Sequence, residues 1–257
     1  MLGKLLKYEF KATARTFIPL YIGIILVSLF NGLFLNPNDV ELSNAKVIGI
    51  IILVALFIAL VVITIVVTVQ RFSKNLLGDE GYLMFTLPVS TKMLILSKTL
   101  IATLWSVLSG VVAIVSFGLI GTLMIGKVTE DILNLGEIIS LIQTNLSPDQ
   151  ISNMAFTIFN ISIFFILSYI TFILTIYLAI SIGQLNIFCK HKTATAFVVF
   201  IILNIIQSEV LSLIGLDEFM TSTWHRTVII GNLSSIVIGV ILFFATSYIL
   251  EKKINLE

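Results

Sequence analysis

Apolar residues come in long unbroken runs along this chain, and polar residues come in short clusters between them. A bilayer core is crossed by about 20 predominantly apolar residues in a helix. Six stretches meet that requirement: Phe17 to Leu35, Val47 to Val69, Thr99 to Ile125, Met154 to Ile182, Thr193 to Gln207, and Thr227 to Leu250. The fifth is the shortest, and its apolar pattern can continue through Leu213, with Glu209 at the far interface. The predicted fold is all-α: one six-span membrane domain over residues 1–257, with no internal repeat and no low-complexity linker.

The segment ahead of the first span has a different pattern. Lys4, Lys7, Lys11 and Arg15 recur every three to four residues, which at 100° per residue puts them on one helical face. Leu2, Leu5, Leu6 and Phe10 fall on the opposite face. Residues 1–16 therefore read as an amphipathic helix lying on the membrane, basic side toward the head groups. Pro19 follows near the start of the first span. Glu9 falls among the leucines, where a carboxylate needs either a path to water or a basic partner; the loop at 71–98 is one source of such a partner.

Two larger connections lie on the other side. In residues 126–153, Ile132, Leu135, Ile139, Ile142 and Leu146 form a helical stripe, with a helix start at Thr129-Glu130-Asp131. Ser147-Pro148-Asp149-Gln150 has the form of a capping box with proline at the first helical position, so a helix should begin there and run into the fourth span. Residues 208–226 carry Val210, Leu211, Leu213, Ile214, Leu216, Phe219 and Trp224 in short runs. They fit a shallow dip into the outer leaflet and an ordinary interfacial loop equally.

Composition agrees with the pattern. The chain is 58% hydrophobic and 11% charged, with mean hydropathy +1.12, where soluble domains carry roughly 25% charged residues. Net charge is +1, which gives no reason to expect nucleic acid. The one cysteine, Cys189, excludes an internal disulfide. No small-residue cleavage site follows the first apolar run, so it reads as a retained span. Lysine and arginine set the orientation. The side holding both ends carries 12 of them, including Arg71, Lys74, Lys92, Lys98 and Lys252, against Lys46, Lys127 and Arg226 opposite. Both termini are predicted to be cytoplasmic, in the cell membrane.

The chemistry that the chain lacks narrows its function. The predicted span interiors contain no Asp, Glu, Lys, Arg or His, groups that proton-coupled transporters need at membrane depth. Asn31, Thr64, Thr68, Asn160, Asn204 and Asn232 are present, and such residues ordinarily bond to the backbone or across helices. His191 and His225 fall on opposite sides, so they cannot share a metal within one chain. Gly121-Thr122-Leu123-Met124-Ile125-Gly126-Lys127-Val128 nearly fits a nucleotide-binding P-loop. Val128 has no hydroxyl for magnesium, and the segment ends a membrane helix on the outer side. No catalytic residue, metal or cofactor is expected, and the chain is not expected to hydrolyse ATP by itself.

The cytoplasmic connection 70–98 reads QRFSKNLLGDEGYLMFTLPVSTKMLILSK. Gly78 and Gly81 bracket Asp79-Glu80, and a short helix over Asp79 to Leu87 would have acidic residues in its first turn, as the helix dipole prefers. Pro88 ends it, and Ser90 is placed to cap the next helix. Leu83, Phe85, Leu87 and Tyr82 give the short helix an apolar side. Either it packs on its own bundle or in the head groups, or it is a knob for a groove on a soluble partner.

The run Asp79 to Lys98 resembles the first cytoplasmic loop of type-2 ATP-binding cassette exporter permeases. Glu80-Gly81 and Pro88-Val89-Ser90 carry the resemblance, with a weaker echo in Ala179-Ile180-Ser181-Ile182-Gly183-Gln184-Leu185. That family has six spans, both ends inside, and an amphipathic N-terminal helix, so the layout matches over nearly the whole chain. Tyr82-Leu83-Met84 departs from the Thr-Leu-Glu that often follows the family's glycine, which leaves the substrate class open. The resemblance implies that Asp79, Glu80, Gly81, Tyr82, Leu83, Phe85, Leu87 and Pro88 contact a separate cassette ATPase subunit. It further implies a second permease subunit, and export of an amphipathic peptide, lipid or drug. The competing expectation is a non-transporting immunity or sensory scaffold; a secondary transporter is disfavoured by the charge-free spans.

Overall fold

The computed structural model describes residues 2–34, 44–77, 89–129, 147–185, 191–213 and 224–252. Regular structure among them is helical: α1 (Leu2–Phe34), α2 (Asn44–Leu77), α3 (Thr91–Thr129), α4 (Pro148–Gly183), α5 (Lys192–Leu213) and α6 (Trp224–Lys252). All six are long and apolar enough to cross a membrane. The chain is a multi-pass, all-α membrane protein.

Each helix extends past its apolar run. α2 continues through Arg71 and Lys74 to Leu77, and α3 starts at Thr91, eight residues before its expected span. Hydropathy measures the hydrocarbon thickness, whereas a helix ends where its terminal N–H and C=O groups find other partners. At the start of α3 the N–H groups of Met93 and Leu94 donate to the Ser90 carbonyl, 2.9 and 3.3 Å, so Ser90 holds the cap position. At the start of α4 the capping box forms reciprocally: Ser147 N–H donates to Gln150 Oε1 at 2.9 Å, and Gln150 N–H to Ser147 Oγ at 3.3 Å.

Residues 2–16 of the amphipathic segment and the span from Phe17 form one uninterrupted helix, with Pro19 inside it. Proline removes one backbone donor, and the helix continues across it. The expected short helix over Asp79–Leu87, the stripe from Ile132 to Leu146, and residues 214–223 of the second outer connection lie outside the described residues.

Burial differs from that of a soluble bundle, with small polar residues buried beside the apolar core and large apolar residues exposed. Buried positions include Ser28, Asn31, Ser116, Thr175, Ser181 and Thr246, while Ile114 is 73% exposed and Phe165 68%. Lipid tails solvate leucine and isoleucine, so small and weakly polar residues collect where helices approach each other. Their hydroxyls mostly bond to the preceding turn, as Ser28 Oγ to the Ile24 carbonyl at 2.7 Å and Thr246 Oγ1 to the Leu242 carbonyl at 2.8 Å.

Contacts divide the chain into two compact units. One comprises residues 10–65 and 104–154. Trp105 of α3 lies between two α1 rings, Phe10 at 5.0 Å and Phe17 at 4.7 Å, each within 10° of parallel. Its Nε1–H donates to Thr13 Oγ1 at 2.7 Å, so the indole is satisfied as well as stacked. Tyr21 donates its hydroxyl to the Trp105 carbonyl at 3.0 Å. Asn31 Nδ2 donates to Gly49 O of α2 and to Val27 O, both at 2.9 Å.

The other unit comprises residues 1–9, 66–103 and 155–257. Its core gathers Phe72 and Leu76 of α2, Leu94 and Ile95 of α3, Tyr177 of α4, and Leu242 of α6, with Leu5 of α1 packed against it. Phe72 stacks on Tyr177 with centroids 4.0 Å apart and planes at 8°. α5 has no buried residue and is held by Gln207, whose Nε2 donates to Thr175 Oγ1 at 2.9 Å, and by Phe200 set edge-on to Phe172.

Candidate functional site

Residues 78–88, which include Asp79, Glu80, Gly81, Tyr82, Leu83, Phe85, Leu87 and Pro88, lie outside the described residues; the two stems that hold this loop are described. The incoming stem is the last two turns of α2, with Phe72 and Leu76 wholly buried. The outgoing stem is the first two turns of α3, with Leu94, Ile95, Ser97 and Lys98 buried. Both stems belong to one core.

A charge cluster joins the stems to the N-terminal helix. Lys98 Nζ lies 2.8 Å from Glu9 Oε1, and Arg71 Nη1 lies 3.9 Å from Glu9 Oε2. The Lys98 and Glu9 side chains are 2% and 10% exposed, whereas Arg71 keeps 30%. One carboxylate thus faces a base from each stem. Glu9 sits on the buried stripe of α1 that continues through Thr13, Phe17, Ile24, Ser28 and Asn31, every third to seventh residue. Of the two fates open to Glu9 in the sequence, the structure shows the basic partner. Lys98, counted from sequence among the basic residues of the 71–98 connection, is buried and paired.

Removing one member of a buried ion pair leaves an uncompensated charge, which costs about 3–5 kcal/mol. A displacement of either stem must carry α1 with it or separate the charges. The chemistry of the cluster is that of a clamp.

Lys4, Lys7, Lys11 and Arg15 are all exposed along one face of α1, as their spacing requires. The stretch Gly121 to Val128 is helical throughout, so its N–H groups serve the helix and cannot cradle a phosphate as a P-loop does. His191 is exposed, and its carbonyl accepts from Thr195 N–H at 2.9 Å as the cap of α5. Among the described residues no three His, Cys, Asp or Glu side chains gather. Sequence reasoning missed the Trp105 sandwich, because nothing in the spacing of Phe10, Phe17 and Trp105 fixes which helices meet. The chain matches no family model, no curated protein and no solved structure.

Proposed function

We propose that this chain is the membrane subunit of an ATP-binding cassette exporter. In this reading it works as a pair of six-span subunits with two separate ATPase subunits and moves an amphipathic substrate out of the cell. The observation that carries the reading is the clamp: the two stems of the 78–88 loop and the N-terminal helix meet at one carboxylate, Glu9. A loop meant only to connect two spans has no need of such anchoring. A loop that receives force does.

Asp79 and Glu80 supply an acidic edge and Tyr82, Leu83, Phe85 and Leu87 an apolar one, suited to a groove on a soluble partner. ATP-driven closure of the partner dimer pushes the loop. The stems pass the push through the Glu9 pairs to α1, which runs unbroken from Leu2 to Phe34.

Glu80→Lys and Phe85→Asp are expected to abolish ATP-dependent export, or the resistance it confers, with an unchanged amount of chain in the membrane. Full activity of both variants at normal expression contradicts the assignment of this loop.

A further inference from the structure

Within the unit formed by residues 1–9, 66–103 and 155–257, α3, α4 and α6 enclose an open groove of about 310 Å³. That is the low end of the range of roughly 300–1,000 Å³ typical of ligand sites. Its walls are almost entirely carbon: Leu96 and Leu100 of α3, Leu167 of α4, and Gly239, Val240 and Phe244 of α6. Thr99 and Thr103 also line it, but their hydroxyls donate to the Ile95 and Thr99 carbonyls at 3.0 and 2.8 Å. Gly239 contributes no side chain to the wall.

The groove has one basic end. Lys92 precedes Leu96 by one helical turn on the same face of α3, and its Nζ stands 5.6 Å from the centre of the Phe244 ring. Tyr248 follows Phe244 by one turn, and Lys252 Nζ stands 5.3 Å from the Tyr248 ring. The two aromatic anchors are thus about 6 Å apart along α6, and both lysines are exposed. The nearest carboxylate in sequence, Glu251, accepts from Ser247 Oγ at 3.2 Å. An apolar slot that opens toward two ammonium groups is complementary to one kind of molecule, a hydrocarbon chain with an anionic head.

We propose that this groove binds one anionic phospholipid, with an acyl chain along Leu96, Leu100 and Val240 and its phosphate between Lys92 and Lys252. The site needs no ATPase and is independent of the transport reading. It is tested on the full-length protein, purified in detergent and titrated with phosphatidylglycerol or phosphatidylcholine while bound lipid is counted by native mass spectrometry. One phosphatidylglycerol is expected to bind about tenfold more tightly than phosphatidylcholine. Lys92→Gln with Lys252→Gln removes that preference, Val240→Trp weakens both lipids, and Lys4→Gln with Lys7→Gln changes neither. On the unaltered protein, phosphatidylglycerol but not phosphatidylcholine protects Lys92 and Lys252 from an amine-reactive label, a readout that needs no variant to fold. Equal affinity for the two lipids, equal loss on replacing Lys4 and Lys7, or unprotected Lys92 and Lys252 overturns the proposal. So does disulfide cross-linking of Val240→Cys to a second copy in native membranes, which makes the groove a subunit contact.

Discussion

Glu9 was visible in the sequence as a misplaced charge, whereas Lys98 was read only as one of the basic residues of the cytoplasmic connection. Glu9 breaks the leucine face of an otherwise regular amphipathic segment, and Lys98 sits directly against an apolar run. Each alone fits a side chain reaching for water. Only the tertiary approach of α1 and α3 makes them one feature, 2.8 Å apart and buried. The pair predicts a specific pattern of stability. Glu9→Leu takes the carboxylate from buried Lys98 and is expected to destabilise by about 3–5 kcal/mol, whereas Lys98→Met leaves Glu9 facing Arg71 and is expected to cost less. The double variant removes both charges and should lie closer to the unaltered protein than either single one. Thermal unfolding of the four purified proteins in detergent forms a double-mutant cycle. Strictly additive losses would show that the two groups do not interact. The intramembrane amides need less context to read. Asn160 and Asn204 donate to the Phe156 and Phe200 carbonyls one turn back, and Asn31 also reaches across to α2.

At the scale of elements, the six helices were legible because the bilayer imposes a length, and their caps were legible where the residues are local. Ser147-Pro148-Asp149-Gln150 contains its own capping partners within four residues, and the structure forms them. The unbroken course of α1 was not legible, because Pro19 and the change from amphipathic to apolar both look like a boundary, whereas the backbone can bridge them. Helix–helix approach was equally hidden. A Cβ on Gly49 would come within 2.5 Å of Asn31 Oδ1. Gly49→Ala must push that amide away from the carbonyl it binds, at a cost of about 1–3 kcal/mol. Gly23, where a Cβ meets nothing within 4 Å, is the control. Gly23→Ala is expected to leave the thermal midpoint unchanged or raise it. Equal behaviour of the two variants would refute the close contact of α1 and α2 at Gly49.

At the scale of the molecule, the 12 to 3 split of Lys and Arg between the two sets of connections is the ground for expecting both termini in the cytoplasm. By the same expectation Cys189 belongs to a cytoplasmic connection. It is expected to react with a membrane-impermeant thiol reagent only after the cell is opened; labelling in intact cells reverses the orientation. The proposed function rests, in the sequence, on a resemblance carried by about 20 residues, Asp79 to Lys98. The structure adds the clamp that anchors the stems of that loop, which no spacing rule could supply because Glu9 lies 89 residues from Lys98.

The central claim is that an ATPase grips the 78–88 loop, and purification of the tagged chain from its native membrane in mild detergent tests it most directly. A stoichiometric cassette ATPase is expected in the eluate, with ATP hydrolysis, and is expected to be lost from a Phe85→Asp preparation that is otherwise intact. A stable preparation of the unaltered chain that carries no ATPase would contradict it.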